Sequence, residues 1–194
     1  AKADRTLFSF EIIPPPRGKT VSDIIEIVET IAKQLDTKLT PEENRRIAEM
    51  PTRNFDAYSA YLRGRNNANI QSVESMNRAV SDFREAIELD PEFALAYVGL
   101  ADAYLTLGAY FHGGLTHDES SALAEPPIVQ ALALDEDLGE AYAMLGALRQ
   151  QQGNLPAAEE AYKRALSLRP SYSRAFHMYA RLREDQDRPD EAMV

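Results

Sequence analysis

The stretch GEAYAMLGALRQQQGNLPAAEEAYKRALSLRPSY, residues 139–172, decides the fold of this 194-residue chain. Two groups of apolar and small residues follow one another in it at the spacing of α-helices. The groups are Tyr142, Leu145 and Gly146, then Ala158, Tyr162 and Ala165. Asn154 can cap the second helix, Pro156 lies near its first turn and Pro170 opens the next unit. Because the glycine allows a close approach between helices, the stretch predicts a tightly packed helix pair.

The same arrangement recurs on both sides of this stretch, which indicates an internal repeat. Two upstream units carry similar residues at similar spacing, and each unit is longer than 34 residues. Their residues are Tyr58, Tyr61, Ala79, Phe83, Ala86 and Pro91 in one unit, and Tyr97, Leu100, Ala101, Tyr104, Ala124, Ile128 and Ala131 in the other. Phe176, Tyr179 and Ala180 begin a fourth unit. This pattern resembles the tetratricopeptide repeat, a 34-residue helix pair that stacks into a solenoid.

The resemblance predicts an all-α tetratricopeptide solenoid over residues 51–194, with about three repeats and a truncated fourth. Residues 22–50 show helical spacing and a capping box, so we predict two helices there that cap the array. Residues 1–21 are predicted to be an extended arm fused to it. Since no capping helix follows the fourth unit, we expect a piece of a longer protein. Pro126 and Pro127 are predicted to break the second helix of their unit in two.

Residues 23–194 resemble the C-terminal repeat region of bacterial multidomain regulators. The motif AYLRGR at residues 60–65 and the insertion that contains Gly113 and Gly114 make this resemblance more specific than the repeat pattern alone. In those regulators, similar repeats follow a winged-helix DNA-binding domain, an adenylate cyclase domain or a protein kinase domain. The resemblance implies a sensor or scaffold module that binds a protein or a peptide. The alternative is a module that only self-associates its parent regulator.

The opening stretch TLFSFEIIPPPRGK, residues 6–19, has the composition of a β-strand and departs from the helical pattern. It resembles the first barrel strand of methylenetetrahydrofolate reductase, a flavin enzyme, and the resemblance places the acid of that strand on Glu11. A fragment of a flavin-dependent folate reductase is therefore a further alternative. A flavin site of this kind needs a whole barrel of roughly 250 residues. We therefore predict no cofactor, and we expect the arm to pair chains into a homodimer.

The acidic residues are concentrated in the middle of the chain. No Lys or Arg lies between Glu85 and Leu148, where twelve acids stand, while the rest of the chain carries 21 bases and 19 acids. Nucleic acid selects basic surfaces, so we predict that it is not a partner. The apolar runs are far shorter than the roughly 20 residues of a membrane span, so we predict no membrane partner. We also expect a cytoplasmic location. The absence of Cys excludes disulfides and thiolate chemistry.

The first helices of the repeats are expected to form the concave face of the solenoid and a ligand groove. The predicted groove residues are Asp56, Ser59, Arg63, Asn66, Val98, Asp102, Leu105, Ala143, Ala147, Gln150, Arg174, His177 and Arg181. Their charge is acidic in the middle and basic at the far end, which favours an extended peptide or a helix of mixed charge. Lys and Asn are lacking where chaperone-binding relatives grip a C-terminal carboxylate, so we do not expect a chaperone-tail adaptor.

No group of residues predicts an enzyme, because no nucleophile with a base, no phosphate loop and no paired acids stand out. His112, His117, Asp118 and Glu119 share one inserted segment. Their spacing fits no standard ligand motif, so we predict no metal site. His177 lies one turn from both Arg174 and Arg181. That cluster suits a carboxylate or phosphate ligand, and equally an ordinary solvated helix face.

Overall fold

The computed structural model describes residues 51–109 and 114–187, and these residues form seven α-helices and no strand. The helices are α1 Phe55–Asn69, α2 Val73–Leu89, α3 Ala94–Gly108, α4 His117–Leu134, α5 Gly139–Gln151, α6 Leu155–Leu168 and α7 Ser173–Asp187. The predicted all-α fold is therefore confirmed. The predicted arm, with its strand at residues 6–19 and Glu11, and the two predicted helices of residues 22–50 lie outside the described residues.

Four of the helices begin at a side chain that caps the first turn. Asn54 accepts a hydrogen bond from the N–H of Ala57 over 3.1 Å, and Asn154 accepts one from Ala157 over 3.3 Å, as predicted. Ser72 at α2 and Thr116 at α4 form capping boxes with the residues three positions later. Each cap satisfies backbone N–H groups that a helix leaves without a partner, which fixes where the helix starts.

The helices pack as consecutive pairs, α1 with α2, α3 with α4 and α5 with α6. The second helix of each pair packs on the first helix of the next, and the first helices also contact each other along the array. We call α1, α3, α5 and α7 the A helices. A core of small, aliphatic and aromatic side chains runs through the three pairs and reaches Ala175 in α7, and a second, smaller cluster of Ala158, Tyr162 and Leu182 joins α6 to α7.

Aromatic rings are held against glycines where neighbouring helices approach each other. A Cβ added to Gly64 or to Gly99 would lie 2.7 or 2.5 Å from the Phe83 ring, so this ring of α2 is enclosed by α1 and α3. In the predicted repeat of residues 139–172, a Cβ on Gly146 would lie 2.6 Å from Tyr162. The close approach predicted for Gly146 is therefore confirmed.

The prediction that Pro126 and Pro127 divide their helix is wrong, because α4 continues through both residues. A proline inside a helix removes the hydrogen bond to the carbonyl four positions before it. Those carbonyls belong to Ala122 and Leu123, which lie on the exposed side of α4, where water can solvate them. Ile128 on the opposite side is 1% exposed. Burial of this face against α3 stabilises α4 across the two missing hydrogen bonds.

Candidate ligand groove

Two adjoining cavities lie along the A helices. The distal cavity, of about 380 Å³, is lined mainly by α3, α5 and α7, and includes Leu105, Ala147, Gln150 and Arg181. The proximal cavity, of about 340 Å³, is lined mainly by α1, α2 and α3 and contains the side chain of Arg65. Asp102, Thr106 and Arg174 line both cavities. We call the two cavities together the A-helix groove.

An ion pair between Arg174 and Asp102 stands at the boundary of the two cavities. The Arg174 side chain is 48% exposed, whereas that of Asp102 is 19% exposed. Burial raises the pKa of the Asp102 carboxyl, and the charges of Arg174 and Arg65 and a hydrogen bond with Thr106 act in the opposite direction. The pair therefore joins a carboxylate enclosed by protein to a guanidinium that reaches into the groove.

Arg65 is the cation of the proximal cavity, and a tyrosine positions it. Its guanidinium donates to the hydroxyl of Tyr61 over 3.1 Å and lies 5.8 Å from the centre of that ring. Tyr61 itself is 7% exposed and packs against Phe83 and Phe93. A tyrosine of a buried aromatic cluster thus holds the guanidinium of Arg65, which lines the proximal cavity.

Six of the groove residues predicted from the sequence line the distal cavity together. They are Asp102, Leu105, Ala147, Gln150, Arg174 and Arg181. Val98 is 8% exposed and Ala143 is fully buried, so these two belong to the core and offer a ligand little surface. His177 is exposed on α7 and is not among the residues that line the two cavities.

The groove residues predicted on α1 differ from those that the structure places in the groove. Arg63 pairs with Asp82 and Glu85 of α2, and Asp56, Ser59 and Asn66 are likewise not among the lining residues of the two cavities. The residues of α1 that do line the groove are Arg65, Ala68 and Asn69.

The shift has a physical cause in the register of α1. Gly64 meets Phe83 as Gly146 meets Tyr162, so Gly64 occupies the position of the repeat glycine. When the groove positions of α1 are counted from Gly64, they lie two residues later in the sequence than predicted. Gly64 is therefore the signal in the sequence that identifies them.

The acidic residues of the middle segment lie mostly outside the groove, and arginines pair with some of them. Glu125 pairs with Arg149 and Asp137 pairs with Arg164. Asp102 is the one carboxylate among the residues that line the two cavities, against three arginines, Arg65, Arg174 and Arg181. Along the described groove, cationic side chains thus outnumber acidic ones, although the net charge of the chain is −10.

No three His, Cys, Asp or Glu side chains lie close enough to hold a metal ion within residues 51–109 and 114–187. Glu119 accepts hydrogen bonds from the backbone N–H and the hydroxyl of Thr116, which lower the pKa of its carboxyl and complete the cap of α4. His117 is the first residue of α4 and Asp118 lies in its first turn. His112 lies outside the described residues. The described helices also include none that is long and apolar enough to cross a membrane.

Two family models of the tetratricopeptide repeat match this sequence, one at residues 139–172, which comprise α5 and α6, and the other at residues 76–110. The chain carries tetratricopeptide repeats. No curated protein matches the sequence.

Solved tetratricopeptide domains share the fold. The domain of OM64 from Arabidopsis is 24% identical with a TM-score of 0.53, covering 66% of this chain and 95% of that one. The first domain of human RPAP3 is 21% identical with a TM-score of 0.55, covering 72% and 98%. A first domain of Spaghetti (RPAP3) bound to an HSP90 peptide is 21% identical with a TM-score of 0.53, covering 68% and 94%. At these identities the likeness shows the fold alone, a tetratricopeptide solenoid.

Proposed function

We propose that this chain is a protein-interaction module that binds an extended peptide or partner segment in the A-helix groove. The observation that carries the proposal is the groove itself: two adjoining cavities along the A helices, with Arg65, Arg174 and Arg181 beside the single carboxylate of Asp102. Charged groups at the edge of a groove orient an extended ligand and select its charge. The solved domain of Spaghetti (RPAP3) with a bound HSP90 peptide has the same fold, which supports peptide binding by this chain.

We further propose that the module acts as the sensor or scaffold of a cytoplasmic bacterial regulator and has no catalytic role. The support is the resemblance of residues 23–194 to the repeat regions of such regulators, in which an output domain precedes the repeats. The sequence that flanks this chain in its genome tests the idea directly. A DNA-binding, cyclase or kinase domain upstream would support it, and a flanking region that encodes the rest of a folate reductase barrel would contradict it.

The binding proposal is tested by removing the two arginines of the distal cavity. Peptides are selected by phage display on the wild-type protein, and the affinity of the best binder is measured by fluorescence anisotropy. A hydrogen bond to a charged group contributes about 1.5–3 kcal/mol, so Arg174→Ala combined with Arg181→Ala should weaken binding at least about tenfold. The dependence of binding on salt should also fall, since two cations are lost.

A matched control removes two arginines that lie outside the groove. Arg63 and Arg78 both pair with acids of α2, so the double variant Arg63→Ala with Arg78→Ala changes the net charge by the same amount. We expect this control to bind as the wild type does, and both variants to keep the helical circular dichroism signal. Equal losses in the two variants would show a nonspecific charge effect, and unchanged binding in the groove variant would place the ligand elsewhere.

A further inference from the structure

The ion pair between Arg174 and Asp102 connects parts of the array that are distant in sequence. Its two residues are 72 positions apart and belong to α7 and α3, while α5 contacts both of these helices. The pair of Arg164 with Asp137, by contrast, joins α6 to the turn directly before α5. Because Asp102 and Arg174 line both cavities, a ligand that extends from one cavity into the other must pass this pair.

The two partners differ in their freedom to rearrange. Arg174 is about half exposed, so its guanidinium can turn towards a ligand without moving α7. Asp102 is mostly buried and stays with α3. Its carboxylate also interacts with the hydroxyl of Thr106 and with the charge of Arg65, so it keeps favourable partners when Arg174 leaves. Exchange of Arg174 between Asp102 and a ligand therefore avoids leaving a buried charge unpaired.

We propose that the groove selects peptides that carry a carboxylate, and that Asp102 limits their affinity by competing with the ligand carboxylate for Arg174. The inference rests on the proposed function, because it requires a peptide in the groove. A second carboxylate offers Arg174 the same charge-assisted hydrogen bonds that Asp102 provides. A neutral peptide offers weaker acceptors and leaves the ion pair in place, so it gains nothing from Arg174.

The test compares the wild type with Asp102→Asn. The probe is a fluorescein-labelled decapeptide of alternating Glu and Ala, and binding is measured by anisotropy at low salt. Asn has nearly the shape of Asp but no charge, so it weakens the hold on Arg174. We expect the variant to bind the probe about tenfold more tightly than the wild type, in line with one charge-assisted hydrogen bond gained. Unchanged or weaker binding by Asp102→Asn overturns the inference.

Two controls distinguish the release of Arg174 from a general effect of removing a negative charge. Asp137→Asn removes a carboxylate paired with Arg164 outside the groove, and it should leave the affinity for the probe unchanged. Adding Arg174→Gln to Asp102→Asn should abolish the gain, since the released guanidinium is then absent. A gain that survives in this double variant, or one that Asp137→Asn reproduces, overturns the role assigned to Arg174.

Further probes identify which carboxylate of the peptide is recognised. They also distinguish a failure of this inference from a failure of the proposed function. Probes with a free or an amidated C-terminus distinguish a terminal carboxylate from the Glu side chains, and either source supports carboxylate selection. If a decapeptide of alternating Gln and Ala binds the wild type as tightly as the acidic probe, the groove remains a peptide site but carboxylate selection is refuted. If neither these probes nor any displayed peptide binds, both the proposed function and this inference fail.

Discussion

Gly146 lies where α5 meets the ring of Tyr162, and a larger side chain there tests the packing of the repeat. A Cβ at this position would lie 2.6 Å from both Cδ1 and Cε1 of the ring. Tyr162 is 1% exposed, and its hydroxyl donates to Gln150 over 3.0 Å, so the ring has little room to move. Overpacking of this kind costs about 1–3 kcal/mol. We expect Gly146→Leu to lower the free energy of unfolding by that amount.

Substitution of Gly146 by Ala distinguishes the effect of the steric clash with Tyr162 from the effect of helix propensity on stability. Ala is favoured over Gly within a helix by about 1 kcal/mol. Gly146→Ala should therefore lose about 0–2 kcal/mol, because the propensity gain offsets part of the same clash. In a Tyr162→Leu background the ring edge is absent, so the same Ala substitution should become neutral or stabilising. The two substitutions are thus expected to be coupled.

Urea unfolding followed by far-ultraviolet circular dichroism measures the free energies of unfolding of four proteins. These are the wild type, Gly146→Ala, Tyr162→Leu and the double variant that carries both substitutions. Comparison of the four values gives the interaction energy between Gly146 and Tyr162, provided that each protein unfolds in a single transition. An interaction energy of zero would refute the contact. Wild-type stability of Gly146→Leu would refute the register of the repeat.

Three further changes test other parts of the molecule. Burial raises the folded-state pKa of Asp102 above its ordinary value of 3.8. The stability that this group contributes is therefore fully present below 3.8 and is lost as the pH rises through the raised pKa. Unfolding curves across this range should show the wild type gaining stability relative to Asp102→Asn as the pH falls, and a flat or opposite difference would contradict this. Asn154→Ala removes the acceptor for the N–H of Ala157 and should cost about 1 kcal/mol in urea unfolding, whereas no loss would mean that the cap is dispensable. If the arm pairs chains, deletion of residues 1–19 should lower the apparent mass in light scattering, and an unchanged mass would exclude that role.

The pair α5 and α6 is the part of the fold that the sequence predicts in most detail. Its spacing identifies the close approach of Gly146 and the cap at Asn154, and both are confirmed in the structure. These features are predictable because each depends on residues within one repeat. Caps and contacts between a glycine and a ring follow from helical spacing alone, without knowledge of how the repeats stack.

Local information was misleading where two signals competed. In α1, Tyr58 and Tyr61 are large aromatic residues at helical spacing and indicated one register, while Gly64 specifies another that lies two positions later. The glycine decides, because the ring of Phe83 fills the space that a Cβ would need, whereas an aromatic side chain is accommodated at several places along a core. In α4, the rule that proline interrupts a helix was outweighed by the burial of Ile128.

The junction of Asp102 and Arg174 depends on information that no single repeat contains. Each residue was predicted to face the groove, but their contact depends on how α3, α5 and α7 stack, which is a property of the whole array. Stacking also explains why the acidic middle segment lines a groove with more arginines than acids. Some of these acids reach arginines on other helices, as Asp137 reaches Arg164, and of the acids in the middle segment only Asp102 lines the described groove. The charge that a ligand meets is therefore set by the geometry of the repeats and not by the composition of the segment, so a substitution that changes stacking should alter ligand selectivity without touching a groove residue.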